Sequence, residues 1–101
     1  MLTHIVWWTF KPEANGNAAA ANAALVKQSL EGLRGKIPEL KELKVGVNVL
    51  GSSTRTADLV LVTFHDDAEG LAAYAAHPEH QKVVELLKQV VATREAIDFI
   101  D

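Results

Sequence analysis

Leu2-Thr3-His4-Ile5-Val6-Trp7-Trp8-Thr9-Phe10 is the stretch on which the fold turns. It is dense in β-branched and aromatic residues, and Pro12 followed by Asn15-Gly16-Asn17 closes it, so it reads as a strand running into a loop. Side chains alternate across a strand, which sorts this one into Leu2, His4, Val6, Trp8 and Phe10 on one face and Thr3, Ile5, Trp7 and Thr9 on the other. Both faces carry large apolar groups. A strand of this kind must be covered on both sides, and everything downstream has to supply the covers.

The first cover follows directly. From Asn17, a good N-cap, to Gly35, a good C-cap, an Ala-rich segment sets Val26, Leu30, Leu33 and Ile37 on one helical stripe, and Pro38 stops it. Leu43, Val45, Val47 and Val49 then alternate with Lys44, Gly46, Asn48 and Leu50, the period-two pattern of a half-buried strand. Gly51-Ser52-Ser53-Thr54 supplies a turn, and Asp58 to Phe64 reads as a third strand, with a hairpin as the economical connection. Asp67 can cap a short helix bearing Leu71 and Tyr74. His77-Pro78 interrupts it, because a residue before proline is pushed out of the α region, and a second helix restarts at Pro78 with Val83, Val84, Leu87, Val90 and Val91. Ile97, Phe99 and Ile100 end the chain as a strand around Asp98.

The order βαββαβ describes an α+β, ferredoxin-like fold: a four-stranded antiparallel sheet with helices on one face. The other face, with Ile5, Trp7, Ile97 and either Leu59 or Val60, stays bare and calls for a partner, so the expectation is a homodimer joined through the sheet faces. Trp7 and Trp8, being adjacent, point to opposite faces, one to that interface and one to the helix side.

Length and composition narrow the rest. The chain has 101 residues, short for more than one core, with no linker-like stretch, so residues 1–101 read as one domain. There are no cysteines, which excludes disulfides, thiol catalysis and Cys-ligated zinc. A net charge of -3 with dispersed lysines argues against nucleic acid as a partner. Apolar runs are too short to span a bilayer and Met1-Leu2-Thr3-His4 lacks the basic start of a signal peptide, so no membrane association and a cytoplasmic location are expected. No phosphate-binding glycine loop occurs, and no Glu is obviously placed to complete a zinc set with His4, His77 and His80, so neither cofactor nor metal is expected.

Leu2-Thr3-His4-Ile5-Val6, Gly35-Lys36-Ile37-Pro38, Gly46-Val47-Asn48, Asp58-Leu59-Val60-Leu61-Val62 and Tyr74-Ala75-Ala76-His77-Pro78-Glu79-His80 together resemble the stress-responsive A/B barrel (Dabb) domain family over nearly the whole chain. The resemblance implies a dimeric α/β barrel. One branch, the plant olivetolic acid cyclases, closes a linear tetraketide by aldol chemistry with a His and a Tyr in a pocket between sheet and helices. The matching positions here are His80 and Tyr74, and His4 and His77 match pocket histidines. The Ala-rich stretch Ala18 to Ala24 stands where that branch carries bulky aromatics.

On the cyclase-like reading, His80 is the general base, kept neutral near a helix N-terminus, and the Tyr74 hydroxyl hydrogen-bonds the carbonyl oxygen that gains charge. His4, Val6, Trp8 and His77 bind a small hydrophobic, phenolic or polyketide ligand. Each residue also has a plainer job. His4 can be a core histidine paired to a backbone carbonyl or to His80, His80 can bond a neighbouring backbone group, Tyr74 can be a core edge with its hydroxyl in water, and His77 can simply shape the helix break. Three functions therefore stay open: a small-molecule pocket with cyclase-like acid/base chemistry, a non-catalytic stress or assembly dimer, and a haem-type or cofactor-poor monooxygenase sharing the barrel.

Overall fold

The computed structural model describes residues 1–101. Strand β1 (Leu2–Phe10) leads through a two-residue-stranded hairpin, β2 (Glu13–Ala14) and β3 (Asn17–Ala18), into helix α1 (Ala19–Glu31). Strands β4 (Glu42–Gly46) and β5 (Leu59–His65), helices α2 (Ala68–Ala76) and α3 (Pro78–Val90), and strand β6 (Val91–Ile100) complete the chain. The main sheet is four-stranded in the order β4-β5-β1-β6, every neighbour antiparallel. This is the expected α+β architecture.

The register explains why β1 sits inside. Val6 pairs with Leu61 and Trp8 with Leu59, so these residues and Leu43 of β4 form one apolar floor, all at most 4% exposed. Val26 and Leu30 of α1 and Val83 and Val90 of α3 close over it. Each such side chain contributes roughly 1.5–3 kcal/mol by leaving water.

Several boundaries differ from the sequence reading. Asn17 does not cap α1: it lies in β3, and the cap position is Ala18, with no side-chain bond. The cause is the turn before it, where Asn15 and Gly16 take φ of 53° and 77°, the two consecutive positive values of a tight hairpin turn. Buried Asn22 then holds that hairpin, its amide donating to the Ala14 carbonyl at 3.0 Å. The helix ends at Glu31 with Gly32 as its cap, so Leu33 and Ile37 enter the core from turns rather than from the helix, still only 3% and 2% exposed.

Strand β4 likewise ends at Gly46, leaving Val47 and Val49 in a long connection to β5 instead of a tight hairpin. The residue before β5 is committed to β1: the Asp58 N–H donates to the Trp8 carbonyl at 2.8 Å, and the Asp58 carboxylate accepts from the Phe10 N–H at 2.7 Å. The helix break is as expected. Asp67 caps α2 by accepting from the Gly70 N–H at 2.8 Å, and Pro78 opens α3.

The second face has no cover within the chain. Ile5 lies between Val62 and Ile97, Trp7 between Val60 and Glu95, and Thr3 between Phe64 and Phe99. Ile97 is 55% and Phe99 48% exposed, so large apolar side chains of this face stand open to water.

Two substitutions test this assignment of forces by urea denaturation. Leu59→Ala, opening a cavity at a fully buried site, is expected to cost about 2–5 kcal/mol, and Asp67→Ala, removing only a cap, about 1 kcal/mol.

Candidate functional site

A cavity of about 270 Å³ opens between the sheet and α3. Val6, Trp8 and Leu61 form its floor, and Leu30, Val84, Leu87 and Val91 its walls. His4 and His80 supply imidazoles, with Lys88 and Arg94 as the cations. Its location follows from topology. Strand β6 is an edge, the helices reach over β1 and β5 more fully than over β6, and the helix-facing side chains of β6 remain exposed.

His4 and His80 are held in different ways. The His4 Nδ1 pairs with the Asp98 carboxylate directly across the β1–β6 ladder. The His80 Nδ1–H donates to the Ala75 carbonyl at 3.0 Å, across the break between α2 and α3. Each ring therefore has one nitrogen engaged, and Nε2 carries no hydrogen bond to the protein. Burial pushes the His80 pKa below its ordinary 6.5; the Ala75 carbonyl partly offsets this, while His4, Arg94 and His65 push it further down. Desolvation, more than the helix terminus invoked from sequence, keeps this imidazole neutral.

Tyr74 is 1% exposed, its ring 4.5 Å from His80 and 4.9 Å from His65 between centroids. Its hydroxyl is buried with no hydrogen-bond partner, so it does not stand in water, and burial raises its pKa to about 12. Tyr74 does not border the cavity; it backs the His80 ring. His77 also lies away from the cavity lining. It caps α3, its Nδ1 accepting from the Glu79 N–H at 3.1 Å.

Three residues escaped the sequence reading. Asp98 and Arg94 become visible only when β6 is laid against β1, which sets Asp98 beside His4 and Arg94 beside Trp8; the signal available earlier was the two charges four apart in a strand-like segment. His65 is the third, fully buried and doubly bonded, its Nδ1–H donating to the Glu39 carbonyl at 2.8 Å and its Nε2 accepting from the Thr63 hydroxyl at 2.9 Å. With both nitrogens satisfied it is a structural group. No group of three or more His, Cys, Asp or Glu side chains comes together as a metal site, and no helix is long and apolar enough to cross a membrane.

Two expectations follow. Burial holds the pKa of both His65 and His80 below the ordinary 6.5. Below about pH 6.5 the unfolded chain thus binds more protons than the folded one, and stability falls with falling pH until the folded imidazoles titrate. Calorimetry from pH 7.5 to 5 should show this loss in Tm, reduced in His80→Gln. Tyr74→Phe removes a hydroxyl without a partner and should leave stability unchanged or raise it by about 1–3 kcal/mol; a marked loss would mean the hydroxyl is bonded in solution.

Similar proteins place the chain in context. No curated protein matches it by sequence. A dimeric ferredoxin-like protein of unknown function from Thermobifida fusca is 26% identical, with 97% of this chain and 88% of that one covered at a TM-score of 0.79. A dimeric ferredoxin-like protein of unknown function from Bacteroides fragilis is 24% identical, with 97% and 93% covered at 0.79. The hydroxynitrile lyase of Passiflora edulis, 13% identical, shares the fold at a TM-score of 0.80 over 99% and 92% of the two chains. The profile of the stress responsive A/B barrel domain matches residues 2–101, and the chain belongs to that family.

Proposed function

We propose that this chain is a homodimeric small-molecule protein whose cavity performs acid/base chemistry on a carbonyl compound, of the aldol, cyclase-like type. One observation carries the reading: two imidazoles, each anchored through Nδ1 and free at Nε2, border the same apolar cavity. Anchoring fixes which nitrogen faces the ligand, and an apolar surround strengthens each polar contact made there.

The proton ledger closes with these two groups. His80 Nε2 takes a proton from a carbon flanked by carbonyls, and the bonding pair moves onto the carbonyl oxygen. For His4 to meet that oxygen as a donor, its Nε2 must carry a hydrogen while Nδ1 stays paired with Asp98, whose carboxylate would balance the ring's charge. The enolate carbon then attacks a second carbonyl carbon of the same molecule, and the new alkoxide recovers the proton from His80. Tyr74 serves as a positioning residue through its ring against His80, so the donor role read for its hydroxyl passes to His4. Val6 and Trp8 bear on the ligand body, and His77 acts only through the α2–α3 break that sets His80.

Dimer formation is part of the proposal. Ile5, Trp7, Val60, Val62, Ile97 and Phe99 supply the sheet-face interface, in keeping with the dimeric neighbours from T. fusca and B. fragilis. The competing reading, a non-catalytic assembly dimer, draws on that same face but leaves the free Nε2 atoms without a task. The lyase and a monooxygenase at 16% identity share the architecture only, and fold does not carry reaction.

A thermal-shift panel of phenolic acids and poly-β-keto acids tests the pocket. A ligand at a hundred times its Kd adds about 2.7 kcal/mol, and the gain should disappear in His80→Ala. Silence across the panel, with His80→Ala altered only in stability, would favour the assembly dimer. Sedimentation at micromolar concentration should give twice the mass of one chain, reduced to one chain in Ile97→Glu; a monomeric wild type would refute the sheet-face dimer.

A further inference from the structure

The cavity holds a charge that the acid/base chemistry does not use. Arg94 projects from β6 beside Trp8, borders the cavity, and forms no ion pair or hydrogen bond with any side chain. Both carboxylates of its own strand, Glu95 and Asp98, are engaged elsewhere. Asp98 pairs with His4, Glu95 pairs with Arg55 at 2.7 Å on the opposite sheet face, and Glu85 pairs with Lys88 at 3.3 Å. Lys88, the other cation of the cavity, has a carboxylate partner on its own helix. A guanidinium left unpaired beside an apolar chamber, with both carboxylates of its own strand engaged, is matched by an anion that arrives with the ligand.

Size and shape narrow the class. About 270 Å³ falls just below the roughly 300–1,000 Å³ of pockets for drug-sized ligands, so the body is small. Leu61 and Leu87 around it offer only apolar carbon, and Trp8 adds an aromatic face with a single indole N–H donor. A planar guanidinium suits a carboxylate, which it can grip with two parallel N–H···O bonds. We propose that the cavity takes a small carboxylate-bearing ligand, the carboxylate paired with Arg94 at the rim and the apolar body against Trp8, Leu61 and Leu87. This rests on the reading of the cavity as a ligand site and adds the ligand's charge and orientation: the carboxylate at the Arg94 end, the reacting carbons toward His4 and His80.

The test compares acids with their uncharged amides of the same shape: phenylacetate, 3-phenylpropionate and hexanoate against phenylacetamide, 3-phenylpropionamide and hexanamide. Binding is read by tryptophan fluorescence, which Trp8 reports from the cavity floor, and by calorimetry. Wild type is expected to favour each acid over its amide by about tenfold, less at high salt because Arg94 is exposed. Arg94→Met should abolish the preference while leaving amide affinity unchanged, and Arg94→Lys should restore it in part. Equal affinity for acid and amide in wild type would overturn the carboxylate assignment and leave the ligand site standing. A preference that survives in Arg94→Met would overturn the role of Arg94. Binding of neither series at millimolar concentration would overturn both the assignment and the ligand-site reading.

Discussion

Strand β1 is bonded on both edges and loaded on both faces, and the rest of the molecule is arranged to satisfy those four demands at once. Strands β5 and β6 take its edges. Helices α1 and α3 close over Val6, Trp8 and Phe10. Its remaining face, Ile5 and Trp7, is flanked by Val60, Val62 and Ile97 and reaches past the limits of one chain. Because the pleat assigns alternate residues to opposite faces, one nine-residue segment defines both the floor of the cavity and the centre of the apolar surface behind it.

The same alternation ties the polar site to the core. His4 lies on the core face two residues from Val6, so an imidazole is carried into an otherwise apolar layer, where an unpaired polar group would be costly. Asp98 meets it because antiparallel pairing with β6 sets those two residues opposite each other. The four histidines of the chain illustrate how neighbours assign work to one residue type. His65 has both nitrogens bonded within the protein, and His77 has its Nδ1 occupied in capping α3. His4 and His80 alone border the cavity, each with a nitrogen to spare.

Much of the fold was legible because it rests on local rules. Runs of β-branched and large apolar residues marked β1 and β5, alternation marked β4, Asp67 and Pro78 marked the starts of α2 and α3, and the stripe Val26, Leu30, Leu33 and Ile37 named buried residues correctly. The errors came where a neighbour outweighed a local preference. The Asn15-Gly16 turn drew Asn17 into a strand, and β4 stops at Gly46, where its pairing with β5 ends at Val60.

The site was half legible. Of the residues that border the cavity, His4 and His80 were singled out through the family resemblance, and Val6 and Trp8 through their place on the His4 face of β1. Asp98 and Arg94 were not, because their meaning depends on which strand β6 pairs with and in what register, a choice made by long-range contact rather than by adjacent residues. The sequence by itself determined the elements, their apolar faces and the need for a cover on the second one. Only the tertiary structure decided that the Tyr74 hydroxyl is buried without a partner outside the cavity lining, that Asp98 meets His4, and that the Arg94 guanidinium borders the cavity unpaired. Those outcomes depend on distances between segments far apart in the chain, which no periodicity encodes.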